Sequence, residues 1–136
     1  MQSRQAHGRA ATQSNKRKEK RKMAKSTKKQ ATLKGKPLNW LELVDYQNGA
    51  IVSREVLRKG TGNVTLFAFD ADQELSEHTA PFDALVCVLD GQVEISISGK
   101  ASALGAGQMI IMPANKPHAL KALSQFKMML IMIRSD

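Results

Sequence analysis

The chain has 136 residues, 42% of them hydrophobic, and a formal net charge of +9 at neutral pH. The length suits one domain, and the charge is lopsided: residues 1–36 hold thirteen Lys or Arg against one acid, Glu19, for +12, while residues 37–136 hold eight against eleven, for −3. A single cysteine, Cys87, excludes an intramolecular disulfide, and the apolar runs fall far short of the roughly 20 residues a membrane-spanning helix needs.

Residues 1–36 are a basic tail. Apart from alanines, two methionines and Leu33 they carry no apolar side chain, so they bury too little surface to offset the entropy of ordering. Disorder is expected here. The cluster Lys16-Arg17-Lys18-Glu19-Lys20-Arg21-Lys22 suits weak contact with nucleic-acid phosphates, with no aromatic for base stacking. Met23 directly follows this cluster and offers an alternative start of translation. No apolar stretch follows the basic residues as a secretory leader would require, so a cytoplasmic protein is expected.

Residues 37–136 read as the folded domain. Pro37 to Tyr46 places apolar residues at 38, 40, 41, 43 and 44, which predicts a short amphipathic helix flanking the rest. Asn48-Gly49 then marks a turn. Strand-like runs follow at 51–57, 63–69, 84–89 and 92–98, then at 109–112, 118–122 and 126–133. In the second run Val64, Leu66 and Ala68 share one face and Thr65, Phe67 and Phe69 the other. Asp90-Gly91 predicts a two-residue hairpin, and Ser98-Gly99-Lys100 a second tight turn. Short strands separated by glycine-marked turns indicate an all-β sandwich or barrel. Several strands are apolar on both faces, so one face fills the interior and the other calls for a second cover. A homodimer through a sheet is the expected cover.

Two stretches carry histidine in a recognisable setting. One is DQELSEHTAPFDALVCVLDG from Asp72 to Gly91; the other is GQMIIMPANKPHALKA from Gly107 to Ala122. Together they resemble the two motifs of the cupin superfamily, over roughly residues 50–134. His78 falls on the first His of the first motif and Gly91 on its closing Gly. Asp72 stands for the opening Gly, Ala80 for the second His and Ala84 for the Glu. In the second motif Gly107, Pro113 and His118 match, Asn115 stands for the second Gly, and Ala122 for the Asn. Asn suits a turn that needs positive φ. The resemblance implies a small double-stranded β-helix, or jelly-roll, barrel of the single-domain bacterial type.

The resemblance also implies a metal site from which this chain keeps two of four ligand positions, His78 and His118. Two imidazoles make a weak site; Fe, Mn, Ni or Zn would need further donors. Asp83 neighbours the lost Glu position but has the wrong strand parity unless a bulge beside Pro81 turns it inward. Glu77 meets the same objection. Met128, Leu130 and Met132 alternate on one face of the last strand and read as packing. Cys87 lies between valines and reads as a packed thiol.

Two functional readings follow. In the first, the barrel binds a small polar organic ligand, with or without a divalent metal, through His78 and His118, lined by Phe67, Phe69, Ala80, Ala84, Met109 and Met128. In the second, it is a metal-dependent enzyme of dioxygenase or isomerase type that uses the same two histidines. The sequence names no substrate, since this fold hosts many chemistries.

Overall fold

Nine strands account for most of the described residues, 33–135, of the computed structural model. The expectations for the basic cluster and Met23, and for disorder over residues 1–32, fall outside the described residues. The strands are β1 (Ile51–Lys59), β2 (Gly62–Phe69), β3 (Glu74–His78), β4 (Phe82–Asp90), β5 (Gln92–Ile97), β6 (Lys100–Gly105), β7 (Met109–Met112), β8 (His118–Ala122) and β9 (Phe126–Arg134). They form a five-stranded sheet in the order β1-β2-β9-β4-β7 and a four-stranded sheet in the order β3-β8-β5-β6. All the pairings are antiparallel.

The interior lies between the sheets. From the five-stranded sheet Phe69, Ala84, Val86, Val88, Met112, Phe126 and Met128 point inward; Val93, Ile95, Leu104, Leu120 and Ala122 meet them from the other. The alternation in β4 puts Ala84, Val86 and Val88 inside at 4% exposure or less, as period-two geometry requires. Phe69 and Phe126 pack at the centre with their rings tilted by 45° and centroids 4.8 Å apart.

The outer face of the five-stranded sheet carries a second apolar cluster, in which Val44 packs on Leu66 and Ala68, flanked by Leu43 and Tyr46. Here the structure corrects the helix expected over 37–46. Only a single 3-10 turn forms, Trp40–Glu42, capped by the Asn39 side chain, which accepts a hydrogen bond from the Leu41 amide. One isolated turn repays little of the cost of helix nucleation, and the segment after it instead lays Leu43, Val44 and Tyr46 on the sheet. Lys127 holds this strap down: its Nζ donates to the Leu41 carbonyl at 2.7 Å and lies 5.0 Å from the centroid of the Tyr46 ring. The Tyr46 hydroxyl donates to Asp90 at 2.6 Å. Burial, then the hydrogen bond to Asp90 and its charge, push the Tyr46 phenol far above its ordinary range.

The second correction concerns Asp90-Gly91. The dipeptide makes no hairpin, because β4 pairs with β7 and β9 while β5 pairs with β6 and β8. The chain instead changes sheets at Gly91. There φ is 75°, and a Cβ would stand 1.9 Å from the Gln125 carbonyl oxygen. The tight two-residue hairpin is at Ser98-Gly99, where both residues have positive φ, as a type I′ turn demands.

Candidate functional site

The two motif histidines come from neighbouring strands. On β8, His118, Leu120 and Ala122 alternate inward, and His118 is 5% exposed. On β3, Leu75 pairs with Leu120, so a regular register would set Glu77 opposite His118. A bulge between Leu75 and His78 inserts one residue, and His78 takes that place instead. The bulge restores His78 to the inward phase of Leu75 and leaves Glu77 exposed.

The rings then meet edge to face, with centroids 4.4 Å apart and the two Nε2 atoms at 3.1 Å. Each Nδ1 faces a backbone carbonyl two residues earlier in its own chain segment: His78 on Ser76 at 2.8 Å, His118 on Lys116 at 3.2 Å. A carbonyl oxygen only accepts, so both Nδ1 atoms carry the proton. In the neutral rings both Nε2 lone pairs therefore converge with no hydrogen between them. Such a fork of two acceptors is complemented by something electropositive: a shared proton, a cation, or a donor group on a ligand. Burial lowers the affinity of His118 for a proton, the charge of His78 lowers it further, and the Lys116 carbonyl opposes both.

The rest of the predicted site is only partly assembled. Ala84, standing where the family's Glu would be, faces inward between its cross-strand neighbours Met112 and Met132. Ala80 is tied by its carbonyl to the Asn115 amide at 2.8 Å. Phe67 is partly buried against the core, whereas Phe69 and Met128 are fully enclosed by protein atoms. Met109, expected to line a ligand, points the other way and is 58% exposed. Met112 pairs with Ala84 and faces in, so alternation assigns the other inward position of β7 to Ile110. A run of four apolar residues, MIIM, conceals that phase in the sequence.

Asp83 does not supply a carboxylate to the histidines. No bulge reverses it; it lies on the outer face opposite Ile133, and its Oδ1 accepts from the Ala114 amide at 2.9 Å. Among the described residues no three His, Cys, Asp or Glu side chains stand together in a metal-binding group. The donor set for a divalent ion is thus two imidazole nitrogens, whose 3.1 Å separation suits two ligands each about 2.0–2.1 Å from one ion. Sequence reasoning missed the Ser76 and Lys116 carbonyls. No side-chain signal marks them, although they decide which ring nitrogens are free.

Comparison with known proteins places these features in context. A family model described as "Cupin domain" matches residues 65–134. A conserved protein of unknown function from Streptococcus pyogenes is 33% identical, with 75% of this chain and 90% of that one aligned and a TM-score of 0.72. A cupin 2 conserved barrel domain protein from Leptotrichia buccalis is 39% identical over 71% of this chain and 47% of that one, TM-score 0.69. A cupin superfamily protein from Desulfitobacterium hafniense is 24% identical over 75% and 94%, TM-score 0.71, a likeness of fold. No curated protein matches.

Proposed function

The chain belongs to the cupin superfamily, and from that premise we propose that it is a binding domain that holds a small polar organic ligand against His78 and His118. The convergence of the two Nε2 lone pairs at 3.1 Å carries this reading. With both Nδ1 atoms engaged on carbonyls, the pair accepts rather than donates, so the complementary ligand presents an amine, amide or hydroxyl donor. The exposed His78 gives access from solvent, and the buried His118 fixes the inner contact. Partly buried Phe67 offers an apolar wall.

A divalent metal is the second reading, favoured by the separation of the two nitrogens. His78 and His118 would hold the ion, and it would supply Lewis acidity with open positions for ligand oxygens. Two protein donors hold an ion weakly. A dioxygenase or isomerase would need further donors, which the described residues do not bring to the pair.

Imidazole nitrogen NMR of the full chain tests both readings. Zn²⁺ alone, and separately a panel of small amines, amides and polyols, are titrated while the Nε2 resonances are followed. At least one probe should shift both histidines together, and His118→Gln should abolish the response. Resonances that ignore every probe refute the site.

A further inference from the structure

On the reading of the histidine pair as a ligand site, we propose that Asn63 and Thr65 of β2 complete it and select a neutral molecule with adjacent hydroxyls, a vicinal diol. β3 ends at His78, and only residues 79–81 separate it from β4. Asp83, near the start of β4, pairs with Ile133, which pairs in turn with Gly62 at the start of β2. Asn63 and Thr65 therefore stand at the histidine end of the sandwich. They share the inward phase of Phe67 and Phe69, and their partners on β9, Met132 and Leu130, pack against the core. Both are half-buried.

Backbone bonds close the far side of this end. The Asn115 amide donates to the Ala80 carbonyl at 2.8 Å, the Ser135 amide to Pro81 at 3.0 Å and the Ser98 amide to Pro117 at 2.8 Å. The near side is open. β1 and β3 are the edges of sheets of five and four strands, so the inner face of β1 has no strand opposite it; Ser53 is exposed there, in register with half-buried Phe67.

The Thr65 hydroxyl donates to the Asn63 Oδ1 at 3.3 Å. The two N–H donors of the Asn63 amide are left without an acceptor among the described residues, and the Thr65 oxygen keeps its lone pairs. So the histidine fork accepts and Asn63 donates. Arg58, in register with Asn63, is already paired with Glu55 at 2.6 Å, which favours a neutral ligand over an ion. A simple amine satisfies the fork and leaves Asn63 unmet. A primary amide brings one N–H to the fork, because its two N–H bonds diverge. A vicinal diol gives one O–H to each Nε2, which lie 3.1 Å apart, and turns its oxygen lone pairs toward the Asn63 donors. Facing sheets about 10 Å apart leave space for a few ligand atoms between the side chains.

Propylene glycol and trimethylene glycol test this, because they share one composition and differ in whether the hydroxyls are adjacent. Each is titrated into the metal-free full chain, and so is ethylamine, while the Nε2 resonances of both histidines and the side-chain amide resonance of Asn63 are followed. Propylene glycol should shift all three and bind at least about fivefold more tightly than trimethylene glycol, the net worth of one hydrogen bond. Asn63→Ala should remove that preference while the histidines still answer ethylamine as in the wild type. Thr65→Val, which frees the Asn63 amide without changing the shape of the strand, should weaken the preference and gives the same reading if Asn63→Ala misfolds. Equal binding of the two glycols, or a preference that survives in both folded variants, overturns the proposal. Histidines that answer ethylamine and neither glycol overturn it too, and leave the pair standing as a binding site; histidines silent to all three remove the site itself.

Discussion

His78 and His118 face each other through Nε2 atoms 3.1 Å apart, while each Nδ1 is fixed on a carbonyl two residues earlier in its own chain segment. The pair has room for one proton between the rings, and a second is opposed by the first.

That relationship sets a pH dependence. His118 holds its proton less tightly when folded than its ordinary value of 6.5, because it is buried and faces His78. As the pH falls through 6.5 the unfolded chain takes up the proton first, so stability drops until the folded pKa is passed. Urea unfolding of the metal-free protein should show a lower midpoint below pH 6.5 than above it. His118→Gln should flatten that slope. His78→Gln should shrink it by removing the neighbouring charge. A slope unchanged in both variants contradicts the account.

Lys127 is 8% exposed, and its ammonium is spent on the Leu41 carbonyl. Lys127→Met keeps the stem but leaves that carbonyl without its donor, which should cost about 1–3 kcal/mol. Because the strap is fastened there, amide exchange at Leu43 and Val44 should accelerate more than at β5 or β8. Uniform acceleration would mean that the strap and the barrel open as one unit.

Asn115 has φ 65° and donates its amide to Ala80. Asn115→Gly should leave stability within about 0.5 kcal/mol, whereas Asn115→Val should cost roughly 1–2 kcal/mol for a β-branched residue in left-handed backbone. Thermal denaturation separates the two. Equal melting temperatures would show that the turn does not depend on this angle.

Gly91 has positive φ and no room for a Cβ beside the Gln125 carbonyl. Gly91→Ala should therefore destabilise by several-fold more than Gly99→Ala, whose Cβ meets open space although its φ is also positive. Comparable losses at the two sites would mean that backbone strain alone, rather than the clash, governs the crossing between sheets.

Much of this was legible in the chain itself. Alternation in Asn63–Phe69 separates the inward Phe67 and Phe69 from the outward Leu66 and Ala68, and the structure keeps that division. The motif positions at which Asp72 and Asn115 replace glycine both have positive φ, so the family spacing survives the loss of the glycines. Strands β3 and β6 had no run of their own in the sequence, since β3 is largely polar and β6 alternates weakly.

The sequence by itself determined the all-β architecture, the negatively charged domain behind a basic tail, and the two positions at which histidine enters the barrel motif. Those follow from local periodicity, turn residues and spacing, which act over a few residues. Only the tertiary structure decided that the bulge in β3 brings His78 rather than Glu77 opposite His118, that Asp83 faces out, and that the segment after Trp40 is a strap held by Lys127. Each of these depends on register between segments far apart in sequence, and a shift of one residue exchanges the two faces of a strand.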